Sequence, residues 1–109
     1  MENVKVKITV KNVNNLLANA TLSVRTVDYG IIDIKGFQIW KSRLLNARLQ
    51  EHINIVPPSK PSFGKYIYLV FFENHDYWYE IEQLIYSAYI EISKQKNKDE
   101  TINPEDVPF

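Results

Sequence analysis

Aliphatic and polar residues alternate strictly at the start of the chain: Val4, Val6, Ile8 and Val10 against Lys5, Lys7, Thr9 and Lys11. A period of two predicts a strand with one buried and one solvated face. After the turn-forming run Asn12-Val13-Asn14-Asn15, the pattern returns. Ala20, Leu22 and Val24 form its apolar set, and Thr21, Ser23 and Arg25 its polar set. Two such strands around a short polar loop predict an antiparallel hairpin. Asp28-Tyr29-Gly30 then turns the chain into a third strand, Ile31 to about Trp40. Gly36 interrupts its alternation, which predicts a bulge or a close backbone approach.

Residues 41–52 fit a basic loop, a frayed hairpin or one or two helical turns. Residues 53–56 read as a short strand stopped by Pro57-Pro58, and residues 59–64, with Pro61 inside, as a loop. Residues 65–73 are the most apolar strand. Ile67, Leu69 and Phe71 occupy one face and Tyr66, Tyr68, Val70 and Phe72 the other, which predicts cover on both sides. Asn74 or Asp76 caps a helix running to about Gln95. Along it Trp78, Ile81, Ile85, Ala88 and Ile92 keep helical spacing, opposite Glu80, Gln83, Ser87, Glu91 and Lys94. Periodicity stops at Lys96.

The order predicts an α+β fold: a small twisted antiparallel sheet of four to five strands followed by one long C-terminal amphipathic helix. Residues 1–95 form the single domain, and residues 96–109 a flexible acidic tail. At 109 residues, 45% hydrophobic and 13% aromatic, the body is long and apolar enough for its own core. The chain has no cysteine, which excludes a disulfide framework and thiol chemistry. It has no long apolar run and no signal-like start, so it is expected in the cytoplasm of a bacterial or phage-infected cell, away from membranes.

Charge changes the picture more than composition does. The formal net charge is zero, yet residues 1–98 carry all 13 Lys and Arg against nine of the 13 acids, a net of +4. Residues 99–109 carry the remaining four acids and no base, a net of −4. A cationic body with an anionic end fits a polyanion-binding surface, and equally a tail that serves solubility. Lys5, Lys7, Lys11, Arg25, Lys35, Lys41, Arg43 and Arg48 are the candidate phosphate contacts, and Tyr29, Trp40, Phe63, Tyr66 and Tyr68 the candidate stacking rings, with Trp40 the best placed. Single strands are held by that combination of cationic groove and aromatic faces. Lysine at every second strand position also solvates a sheet or guards its edge.

Catalytic and metal chemistry find no such pattern. His52 and His75 lie 23 residues apart without ligand spacing, and the three glycines form no phosphate loop. Glu80 and Glu82 point to different sides of the helix, so they make no acid–base pair. No enzyme activity, cofactor or metal is expected.

The chain ends Glu105-Asp106-Val107-Pro108-Phe109. This resembles the acidic tip of bacterial and phage single-stranded DNA-binding proteins (SSB). A terminal Phe joins ring and carboxylate in one compact ligand, and proline before it lowers the entropy lost on docking. The resemblance implies recruitment of replication and recombination proteins through the tip.

The body resembles the SpoVG (septation protein) family of small bacterial nucleic-acid-binding regulators. The resemblance rests on the N-terminal hairpin, on Gly30-Ile31-Ile32-Asp33-Ile34-Lys35-Gly36-Phe37-Gln38-Ile39, and on Ile55-Val56-Pro57-Pro58-Ser59. It continues through the loop closed by Gly64 to a helix reaching Ala88-Tyr89. It implies a twisted sheet with a helix, a homodimer joined through strands, and nucleic acid contact by basic residues near the helix. Glu80, Glu82 and Glu91 on this helix depart from that pattern. They move the expected contacts to the outer hairpin face and to Lys41, Arg43 and Arg48. The expectation is a non-enzymatic single-stranded DNA-binding protein, a phage or mobile-element SSB analogue. A duplex DNA or RNA regulator, and a protein-interaction module without nucleic acid, are the alternatives.

Overall fold

Four strands join in chain order into one antiparallel meander: β1 (Val4–Val13), β2 (Leu16–Arg25), β3 (Ile31–Asn46) and β4 (Glu51–Val56). A separate hairpin, β5 (Ser59–Ser62) and β6 (Lys65–Tyr68), follows, and then the helix α1 (His75–Ile102). The fold is therefore α+β, with the helix last. The computed structural model describes residues 2–102, with side-chain environments through Lys94.

Alternation determines which face of the meander is covered. Val4, Val6 and Ile8 lie on the inner face beside Val24, Leu22 and Ala20. Ala18, Ala20, Leu22, Phe37, Ile39 and Ile55 are buried there against Ile81 and Ile85 of α1, and Leu49 closes one end. Each fully buried Leu, Ile or Phe contributes about 1.5–3 kcal/mol, so this layer carries most of the fold's stability. Phe72 extends it, its ring 6.2 Å from Phe37 and 5.4 Å from Trp78. The polar helix face, from Glu80 through Gln83, Ser87 and Glu91 to Lys94, is exposed as its spacing predicts.

Local signals set the ends of these elements. The Asn74 side-chain carbonyl accepts from the backbone N–H of Asp76 at 3.0 Å and of Tyr77 at 3.3 Å, so Asn74 is the N-cap. The helix runs past the expected end near Gln95. Gly36 has both features that its position predicts. Lys35 faces Thr21 and Phe37 faces Ala20, which leaves Gly36 as the extra residue of a bulge. Its φ is +103°, and a Cβ there would meet Pro58 Cβ at 3.4 Å.

One segment settles among the alternatives of the sequence reading, and two differ from it. Residues 41–52 are a hairpin: β3 continues to Asn46 and turns back into β4. Asn46 organises that turn, its side-chain carbonyl accepting from the N–H groups of Arg48 at 3.0 Å and Leu49 at 3.2 Å. Residues 59–62, expected as a loop, are β5, paired with β6 despite Pro61. The apolar strand expected over 65–73 stops at Tyr68 and is covered on neither face, every residue of β6 being exposed. Two-sided apolarity needs cover, and none of the described residues supplies it to β6. No helix among the described residues is long and apolar enough to cross a membrane.

Candidate nucleic-acid interface

The outer face of the meander is built by the same alternation that builds the core. Lys7, Thr21 and Lys35 stand in one row across β1, β2 and β3. The next row, about 6.6 Å along the strands, is Lys5, Ser23 and Asp33. In the other direction come Thr9, Asn19 and Gln38, and beyond them Trp40, opposite Asn54 of β4. Lys5, Lys7 and Lys35 are exposed, and among the described residues none is in an ion pair. The Asn19 side-chain oxygen is shielded there without a hydrogen-bond partner.

The ends of this face are shaped differently. At one end Lys5 and Arg25, with Asn3, Ser23, Ile31 and Glu2, line a hollow of about 110 Å³. Two cations over a hydroxyl suit an anionic oxygen. Glu2 and Asp33 oppose them, and Asp33 already accepts from the Ser23 hydroxyl at 2.6 Å. At the other end Trp40 is half-buried, its indole N–H donating to the Gln38 side chain at 3.2 Å. That bond restrains the ring, which stays partly open to solvent.

The structure thus gathers Lys5, Lys7, Arg25, Lys35 and Trp40 on one surface. Lys11 borders it, at the start of the irregular pairing between Val10 and Val13. Lys41 does not join it: it registers with Ile53, whose side chain packs on the core, so it lies on the face away from Trp40. Arg43 is on the part of β3 beyond regular pairing, its carbonyl 3.1 Å from His52 Nδ1. Tyr66 belongs to the separate hairpin.

Arg48 is occupied elsewhere. Its Nε reaches Glu82 Oε1 at 2.7 Å and its Nη2 reaches Oε2 at 2.9 Å, while Asn46 Nδ2 donates to Oε2 at 3.1 Å. Glu82 is 1% exposed and the Arg48 side chain 44%. The guanidinium also lies 4.8 Å from the Tyr79 ring centre. The hydrogen bond to Glu82 raises the Arg48 pKa above its ordinary value, with burial acting against it. Arg48 therefore ties the β3–β4 turn to α1, and its charge is largely compensated.

Sequence reasoning missed Glu82, and named Phe63 as one aromatic among several without placing it at a turn. Glu82 lies four residues after Trp78 and three before Ile85, so helical spacing already placed it on the apolar stripe. Phe63-Gly64 between two strands is a turn signal that the apolar run after it obscured. Among the described residues no group of three His, Cys, Asp or Glu is placed to hold a metal ion. The tip residues Glu105, Asp106, Val107, Pro108 and Phe109 lie outside the described residues. Compared with family models, curated proteins and solved structures, the chain matches none.

Proposed function

We propose that this protein is a non-enzymatic binder of single-stranded DNA that uses the outer face of the meander. The carrying observation is the open row Lys7–Thr21–Lys35 beside Lys5, unpaired among the described residues. Phosphates would follow the lysines toward the Lys5–Arg25 hollow, while Trp40 offers a ring to one base. Such contacts read charge and stacking rather than base identity, so binding is sequence-tolerant. The acidic end, led by Asp106 and Phe109, then recruits replication and recombination proteins. A homodimer belongs to the same reading: Leu69 and Phe71 are 59% and 65% exposed and supply an apolar seam for a second copy.

Binding of oligo-dT and of a duplex of equal length, at 50 and 200 mM salt, tests the reading. Preference for the single strand, with affinity falling steeply as salt rises, supports it. Preference for duplex favours the regulator alternative. No binding of either at 50 mM salt refutes nucleic acid recognition by this face.

A further inference from the structure

We propose that the β5–β6 hairpin is a stacking arm for single-stranded nucleic acid, with the Phe63 ring at its apex laid against an unpaired base. The inference rests on the nucleic-acid reading above and adds a second contact surface to it. The ladder closes at Ser62 opposite Lys65, leaving Phe63-Gly64 as a two-residue loop. Both residues are left-handed, φ +50° and +78°, as a primed hairpin turn requires. The first position of such a turn favours Asn, Asp or Gly, and a bulky side chain there is strained. Nothing in the fold offsets that strain, because the Phe63 side chain is fully exposed and covers no neighbour. A strained aromatic that does nothing for its own fold points to a contact outside it.

The two faces of the arm identify the occupant. Pairing of Lys60 with Ile67 and Ser62 with Lys65 places both lysines on one face. Pairing of Ser59 with Tyr68 and Pro61 with Tyr66 places both tyrosines on the other. Residues 57–72 contain no acid. Cations on one side, rings on the other and a ring at the apex match a chain of phosphates and bases. A purely apolar partner has no use for the lysines. Every base has a stackable face, so the arm is tolerant of sequence.

The test uses the full chain and dye-labelled oligo-dT. Phe63→Asn installs the residue that the turn prefers, so its urea midpoint is expected to equal or exceed the parent's. Its affinity is expected to fall roughly 5- to 150-fold, the range of one stacked base. The slope of log K against log salt stays unchanged, since no charge is removed. Phe63→Trp should add a fluorescence change on oligo-dT binding beyond that of the parent, whose Trp40 and Trp78 give the baseline, a difference that a turn residue facing water would not give. If the parent binds oligo-dT and Phe63→Asn binds it equally well, the arm has no part in binding and the sheet-face reading stands. If Phe63→Asn instead abolishes self-association and leaves affinity per protomer intact, the apex is a protein contact and the inference is overturned. If the parent itself ignores oligo-dT, both readings fall together.

Discussion

Arg48 grips Glu82 with two nearly parallel hydrogen bonds, although 34 residues separate them and only the carboxylate is buried. The bond joins the β3–β4 turn to the second turn of α1. Bidentate geometry and the third donor from Asn46 make the burial of that charge tolerable.

Arg48→Ala should therefore destabilise the protein by about 2–4 kcal/mol, because it strands a buried carboxylate. The figure stays below the full penalty for a buried pair since Arg48 is partly exposed. Adding Glu82→Leu to that variant should recover most of the loss. Urea unfolding at neutral pH, with the slope compared between variants, measures both.

Lys7→Gln with Lys35→Gln removes both cations of one row. Stability should shift by less than about 0.5 kcal/mol, as both side chains are exposed. The slope of log K against log salt for oligo-dT should fall by about 1.4, about 0.7 for each phosphate that is no longer neutralised. Lys41→Gln, on the other face, should leave the slope unaltered.

Gly36→Ala should cost about 1–3 kcal/mol. The added methyl meets Pro58 at 3.4 Å, and φ +103° is a conformation that alanine rarely adopts. A lower urea midpoint with intact secondary structure by circular dichroism is the expected result. An unchanged midpoint would mean that the bulge moves to relieve it.

Tyr86 gives a pH signature. Burial, and after it the charge of Glu51 and a hydrogen bond to it, raise its pKa above the ordinary value of 10.0. The folded protein thus keeps a proton that the unfolded chain gives up near pH 10. This stabilisation is complete below the ordinary value and disappears as pH rises through the raised one. Stability should decline across that alkaline window, and Tyr86→Phe should flatten the decline. Thermal melts at stepped pH would show it.

Removing Pro104 to Phe109 should leave oligo-dT affinity equal or higher and abolish capture of replication proteins. Retained capture would assign recruitment to the body instead.

The parts legible in the sequence are those with one wet face and one dry one. Val4 to Val10 and Ala20 to Val24 alternate because the sheet is covered on one side only, and the Trp78–Ile92 stripe follows the same logic at helical spacing. The extension of β3 beyond Trp40 was legible only as one of three alternatives, because Lys41 to Asn46 outruns the core and loses its alternation. Arg48 looked like a free cation because sequence shows charge and not the distant carboxylate that neutralises it. Residues 65–73 read as buried since apolarity announces a need for cover, and does not say which molecule provides it. Period alone put Lys5 and Lys7 on the outer face of the hairpin, whereas the addition of Lys35 to that face came from the register of β3 on β2. The separation of Lys41 from Trp40 was missed because the strand was expected to end near Trp40, and neighbours along a continuing strand point opposite ways.

The meander has a kinetic corollary. Each strand pairs with the one made just before it, so the sheet can zip up as the polypeptide leaves the ribosome. Its greasy side nevertheless stays bare until α1, the final element, closes over β1, the earliest. Nascent chains stalled near Asn74 would be ribbons without a lid, the species most prone to clump. Burial of the core therefore waits for α1, and translation of its turns governs when the sheet becomes safe.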